Sequence, residues 1–130
     1  MAQTLEQERA AFAWEVAAIG IAQAQDKYTK LAKGAPALVM GSGLMQTLAF
    51  LRDKKEVQHQ QLLEHLLLWL ARRFDGETTS HAQFAFPNAK QPNFERTMQA
   101  LFYAKPQQFQ RATSEVMHVL RWIRQMASAR

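Results

Sequence analysis

Apolar residues recur at three- and four-residue steps along most of the chain, and no segment alternates apolar and polar residues over a useful length. Near the start, Phe12, Val16 and Ile19 follow this helical period. Thr4 and the glutamine three residues later have the spacing of a capping box, which opens a helix. The pattern predicts one long helix over residues 5–32, with Gly20 as a weak point inside it and Gly34 as its stop.

Proline and glycine divide the next stretch. Pro36 suits the first turn of a short helix over residues 36–40, and the Gly-Ser-Gly sequence at 41–43 breaks the chain. A third helix follows and ends at the charged corner 53–55. Its predicted inward residues are Leu44, Leu48, Phe50 and Leu51.

The fourth predicted helix, residues 56–74, is apolar almost all round, which is typical of a helix in the middle of a bundle. Residues 75–92 are predicted to form an irregular loop rich in turn-forming residues. Phe84 and Phe86 are expected to hold this loop against the core, and a short helix around residues 80–84 is one option within it. Pro92 and Pro106 each begin a helix, the first through Tyr103 and the second to about Ala129. The fold class is therefore all-α: a compact bundle of about six helices in a single domain, residues 1–130.

The last helix has two distinct sides on a helical wheel. One side is apolar and holds Phe109, Ala112, Val116, Val119, Leu120, Ile123 and Ala127. The other is polar and includes Arg111, His118, Arg121, Arg124 and Gln125. Trp122 lies at the margin between them, where it either seals the core edge or serves as a stacking or interface residue.

The charge balance gives the first indication of a partner. The chain has 16 Lys and Arg against 11 Asp and Glu, a net charge of +5. Most of the excess lies in residues 57–130, and a basic surface attracts polyanions. There is no cysteine, so disulfides and thiolate metal sites are excluded. The polar start and the short apolar runs predict a soluble, cytoplasmic protein without a membrane span.

The sequence supports no catalytic or metal-binding pattern. His59 and His65 are six residues apart, which is not the four-residue spacing of a metal pair on a helix. The Gly-Ser-Gly sequence at 41–43 lacks the flanking residues of a nucleophile elbow or a phosphate loop. Four carboxylates lie near helix ends or corners, where such groups are usually solvated: Asp26, Asp53, Asp75 and Glu77. We therefore expect no enzyme activity, no metal and no cofactor.

Basic clusters are the remaining candidate site. One is a lysine stripe at three-residue steps, another a corner after the third helix, and a third the polar side of the last helix. The predicted nucleic-acid-binding residues are Lys27, Lys30, Lys33, Arg52, Lys54, Lys55, Arg121 and Arg124. Arg72 and Arg73 form a further basic pair at the end of the fourth helix. Such clusters serve either as solvated surface or as phosphate contacts.

Two segments resemble one known family. The central segment has a tyrosine, a proline followed by apolar residues, then Gly-Leu-x-Gln-x-Leu-Ala-Phe and a lysine. These are Tyr28, Pro36, Leu38, Gly43, Leu44, Gln46, Leu48, Ala49, Phe50 and Lys54 or Lys55. The closing helix agrees through Ala112, Thr113, Leu120, Trp122, Ile123, Arg124 and Ala127, with Phe109 in place of a frequent tyrosine. The sequence resembles the small subunit of Cmr-type (type III-B) CRISPR effector complexes.

The resemblance implies a compact helical subunit without catalytic activity. It implies several copies that stack head to tail beside the crRNA-bound backbone subunits and form part of a basic channel for the guide–target duplex. Its partners are then the other subunits of the complex, further copies of itself, crRNA and target RNA. The alternative from the residues is a helical protein–protein adaptor that makes no contact with nucleic acid.

Overall fold

The computed structural model describes residues 2–130, in which six α-helices are joined by turns and loops and no strand occurs. The helices are α1 (Leu5–Ala24), α2 (Asp26–Ser42), α3 (Leu44–Asp53), α4 (Val57–Phe74), α5 (Phe94–Phe102) and α6 (Pro106–Ala129). The prediction of an all-α fold with about six helices is confirmed. The chain packs as two compact units, the first formed by the described residues through Leu63 together with Met117–Arg130, the second by Glu64–Val116. The predicted domain extent, residues 1–130, stays a prediction.

The start of α1 follows the sequence closely. The Thr4 hydroxyl accepts a hydrogen bond from the Gln7 amide at 3.1 Å, and the Gln7 side chain accepts one from the Thr4 amide at 2.8 Å. This capping box satisfies two of the amides that a helix start leaves without partners. The predicted end is wrong, because the chain breaks at Gln25, where φ is 53°. Residues 5–32 therefore form parts of two helices, which pack against each other within the first unit.

Helix α2 continues through both predicted breakers. Gly34 does not stop it, and Pro36 lies inside it and does not begin a separate helix over 36–40. A proline inside a helix removes one backbone hydrogen bond. The packing of Ala32 and Val39, both buried on the same side of α2, offsets that loss. The break comes at Gly43, where φ is 86°, a conformation that glycine adopts without strain.

Helices α3 and α4 supply much of the core. In α3, Leu44, Leu48 and Leu51 are buried as predicted, but Phe50 is 38% exposed and the prediction that it points inward is wrong. It lies on the opposite side of the helix from the three leucines. Helix α4 is buried on several sides, as predicted for a central helix. Its buried apolar residues are Leu62, Leu63, Leu66, Leu67, Trp69, Leu70, Ala71 and Phe74.

In the second unit, the irregular loop is held by aromatic side chains. Phe86 is buried and stacks on Phe74, with ring centroids 4.7 Å apart, and Phe84 stacks on Tyr103 at the same distance. The optional helix at 80–84 is absent, and that stretch forms a turn. Helix α5 begins at Phe94, later than predicted, since the Asn93 side chain caps it by accepting from the Arg96 amide.

The predicted apolar side of α6 is buried, with two changes. Phe109 is only half-buried, and the neighbouring Gln108 is buried instead. Gln108 is stabilised there because its side-chain amide donates to the Thr78 carbonyl at 2.8 Å. Glu115 is also buried on this side. In the described residues, no helix has the length and apolar character that crossing a bilayer requires.

Candidate nucleic-acid interface

The predicted basic residues are all exposed and all belong to the first unit. They occupy three places in it: the first half of α2, the end of α3 with the linker after it, and the last half of α6. Exposed lysine and arginine side chains on helices can reach phosphates without disturbing the core. The structure therefore places all eight cations at the surface.

The lysine stripe lies on the first three turns of α2. Lys27, Lys30 and Lys33 are exposed, while Tyr28 and Ala32 between them are buried. Successive members lie about 4.5 Å apart along the helix axis, given the 1.5 Å rise per residue. Each step also turns by about 60° around the axis. The stripe therefore curves around the exposed surface of α2 and is not a straight row.

The second cluster, Arg52, Lys54 and Lys55, lies where α3 ends. Lys54 is the residue that follows the helix, and its amide donates to the Phe50 carbonyl at 3.2 Å. Its ammonium nitrogen lies 5.5 Å from the centroid of the exposed Phe50 ring. Phe50 therefore lies at a basic corner, and its ring also meets the buried His59 ring edge-on, with centroids 5.7 Å apart.

The third cluster, on α6, borders a cleft. Arg121 and Arg124 are exposed, about 60° apart around the helix. Arg121 lines an open cleft of about 420 Å³ between the first turns of α1 and the last half of α6. The cleft is lined by Glu6, Arg9, His118, Arg121, Trp122 and Gln125, all from the first unit. The half-buried Trp122 thus lies at the wall of a cleft, at the margin where the sequence predicts it.

Other cations are held by contacts within their own unit. Arg111 pairs with Glu77 at 2.5 Å, and its guanidinium lies 4.4 Å from the centroid of the Phe74 ring. Arg73 is half-buried, with its Nε 3.6 Å from a carboxylate oxygen of Glu115. These positions belong to the packing of the second unit. They are therefore poorer candidates for phosphate contacts than the eight predicted residues.

The histidines of α4 are buried and do not meet at a metal site. Burial lowers the pKa of His65 to about 4, so this imidazole is neutral at pH 7. Burial also lowers the pKa of His59, an effect that nearby Lys54 reinforces and Glu56 opposes. Among residues 2–130, no group of three or more histidine or acidic side chains is placed to hold a metal ion.

Sequence reasoning missed two groups of residues. One is Glu115, which accepts a hydrogen bond from the Trp69 indole N–H at 3.1 Å. Its position on the wheel, next to Val119 at the edge of the apolar side, is a signal that could have revealed its burial. Glu6 and Arg9 are the other group. Nothing in their local sequence shows that they border α6, because that depends on helix packing.

The described chain is an all-helical protein in which the eight predicted cations are exposed on three parts of the first unit. The sequence profile of the Cas_Cmr5 family, described as CRISPR-associated protein (Cas_Cmr5), matches residues 5–130. The chain belongs to this family, and the predicted resemblance to the small subunit of Cmr-type complexes is confirmed.

A crystal structure gives independent support for the fold. It is that of a CRISPR-associated Cmr5 family protein from Thermus thermophilus, which is 24% identical in sequence. The match covers 98% of this chain and 97% of that one, with a TM-score of 0.75. At this identity, the similarity establishes the shared fold alone.

Proposed function

We propose that the chain is a non-catalytic small subunit of a type III-B CRISPR complex that targets RNA. In this proposal several copies stack in the cytoplasm beside the other subunits of the complex. Their basic surfaces then form part of the channel that holds crRNA and target RNA. Membership of the Cas_Cmr5 family supports the assignment to a Cmr-type complex. The exposed basic clusters of the first unit support the proposed contact with RNA.

The exposure of all eight predicted cations in one unit is the observation that carries this proposal. By contrast, Arg73 and Arg111 lie against the carboxylates of Glu115 and Glu77. Phosphate groups bind where cations can displace their condensed counterions. The three clusters meet this requirement through their exposure.

The expected recognition does not depend on base sequence. Lysine and arginine contacts to phosphates fix the position of a strand but carry no information about its bases. The selection of a target then belongs to base pairing with the guide. A single subunit contributes few contacts, so its affinity is modest until stacked copies bring their cations into line.

Paired charge removal in the assembled complex tests the proposal. One double variant is Lys54→Gln with Lys55→Gln, and another is Arg121→Gln with Arg124→Gln. Filter binding of a guide–target duplex over a range of salt concentrations should show weaker retention for both. The salt dependence should become shallower by about one unit for each phosphate that is no longer bound.

A matched control removes the same charge from the second unit. Lys90 and Lys105 are exposed there, outside the three clusters, so Lys90→Gln with Lys105→Gln should leave the affinity and salt dependence near those of the wild type. Circular dichroism checks that every variant keeps its fold. If both cluster variants bind RNA as tightly as the wild type does, the proposal fails and the alternative of a protein–protein adaptor is favoured. Exposed apolar side chains such as Met40 would then be the first candidates for a protein interface.

A further inference from the structure

We infer that the cleft between α1 and α6 holds one unpaired nucleotide of an RNA strand, with its base stacked on Trp122 and its phosphate bound by Arg121. The inference rests on the proposed function and adds to it a particular site. The site shares Arg121 with the third basic cluster and adds to it a base contact at Trp122.

The arrangement of the α6 side chains is the first step. His118 and Trp122 are four residues apart, as are Arg121 and Gln125, so each pair occupies adjacent turns of one helix face. The cleft therefore presents an indole beside a guanidinium and an amide. Aromatic rings next to arginines are the combination with which proteins bind single-stranded nucleic acid, since every base has a face that can stack.

The availability of these groups is the second step. Arg121, Trp122 and Gln125 have no side-chain hydrogen bond, ion pair or ring contact with any other described residue. Trp122 is half-buried, so the core holds part of the side chain in place while the rest faces the cleft. A held aromatic ring loses little conformational freedom when a base stacks on it.

Size and charge are the third step. The cleft volume of about 420 Å³ lies within the range of about 300–1,000 Å³ that small-molecule sites occupy. Arg9 and Arg121 outweigh the single carboxylate of Glu6, so the lining has a net positive charge at pH 7. This balance favours an anionic ligand. It disfavours an apolar peptide with few hydrogen-bond acceptors, because the polar side chains of the lining would lose their hydrogen bonds to water and gain none in return.

The experiment uses the full-length chain and a labelled single-stranded RNA oligonucleotide of mixed sequence. Trp122→Ala should weaken binding about 5- to 150-fold, the range found when a stacking residue is removed, without changing the salt dependence. Arg121→Gln should instead make the salt dependence shallower by about one unit. Trp122→Phe keeps an aromatic ring at this position and should retain most of the affinity. This variant therefore tests the stacking even if Trp122→Ala does not fold.

Tryptophan emission reports the stacking directly. Saturating RNA should quench the tryptophan emission of the wild type and of the control Trp14→Phe, which changes a tryptophan outside the cleft. The emission of Trp122→Phe should be quenched much less. Equal quenching of wild type and Trp122→Phe, or unchanged affinity of Trp122→Ala, would overturn the inference. If Lys54→Gln with Lys55→Gln still weakens binding in that case, the proposed function stands and only the cleft fails. If that variant also binds normally, both fail.

Two further arms identify the ligand. Adenosine monophosphate should quench Trp122 only at concentrations far above those needed for the oligonucleotide, because a strand adds contacts that a free nucleotide lacks. Equal potency would show that the cleft takes free nucleotides, contrary to the inference. Loss of the other subunits on co-purification with Trp122→Ala, with normal RNA binding by the isolated chain, would show instead that the cleft is a protein interface.

Discussion

The ring of Tyr28 occupies the space into which any side chain at Gly20 would project. A β-carbon at residue 20 would overlap the Tyr28 ring, which is itself fully buried. The two residues lie on either side of the break at Gln25, so this contact joins α1 to α2 in the first unit. Gly20 is therefore a packing position, although its helix propensity alone suggests a weak point.

Replacing Gly20 by alanine should destabilise the protein. Alanine is favoured over glycine in a helix by about 0.8–1 kcal/mol, but forcing a methyl group into a filled core costs about 1–3 kcal/mol. The overlap with a buried ring should dominate and leave a net loss of about 1–2 kcal/mol. Urea unfolding followed by circular dichroism measures this difference.

Gly34→Ala is the matched control, since a β-carbon at that helical position meets open space. It should stabilise the chain by about 0.5–1 kcal/mol. Adding Tyr28→Leu to Gly20→Ala should recover part of the loss, because the smaller side chain makes room. A Gly20→Ala protein as stable as the wild type would show that Tyr28 can move aside at little cost.

Helix α4 should be highly sensitive to truncation in its apolar middle. Leu66 is fully buried, so Leu66→Ala should cost about 2–5 kcal/mol through lost transfer energy and the remaining cavity. Met40→Ala, at a side chain that is 76% exposed, should change the free energy of unfolding by less than about 0.5 kcal/mol. Equal effects of the two changes would contradict a central role for α4.

Glu115 should matter more for folding than its sequence context suggests. It is buried in the second unit, accepts from the Trp69 indole and lies 3.6 Å from the Arg73 guanidinium. Glu115→Ala leaves a buried donor without its acceptor and should cost about 2–4 kcal/mol. Glu115→Gln keeps an acceptor for the indole and should cost less. A Glu115→Gln variant less stable than Glu115→Ala in thermal melts would show that the indole bond contributes little.

The sequence predicted the fold class because its signals are local. The capping box at Thr4, the stop at Gly43 and the apolar side of α6 each depend on residues within a few positions of one another. The break at Gln25 was missed because glutamine rarely adopts a positive φ. The prediction that Pro36 begins a separate helix failed because the packing of α2 outweighs the preference of proline for the first turn of a helix.

The candidate site was predictable only in part. Exposed cations can be read from the polar side of a helix, and all eight predicted residues are on the surface. The cleft needs side chains that lie more than one hundred positions apart in the chain, with Glu6 and Arg9 on α1 and Trp122 on α6. Which side chains meet across such a gap is decided by tertiary packing, about which a local pattern carries no information.

Acid should destabilise the protein through His65. Burial lowers the folded-state pKa of this imidazole from 6.5 to about 4, so between these values the unfolded state binds more protons than the folded state. The stabilisation from a neutral His65 is complete above about pH 6.5 and is lost as the pH falls towards 4. The effect of this one group should be on the order of 3 kcal/mol, and His59 acts in the same direction.

The measurement is the free energy of unfolding by urea at several pH values between 7.5 and 4, for the wild type and for His65→Gln. Carboxylates also titrate near the acid end, so the decisive quantity is the difference between the two curves. The His65→Gln curve should be flatter between pH 6.5 and pH 4, because the proton that the unfolded wild type takes up has no site in the variant. Parallel curves for wild type and His65→Gln would mean that the protonated imidazole is accommodated in the folded core, contrary to the low pKa that its burial imposes.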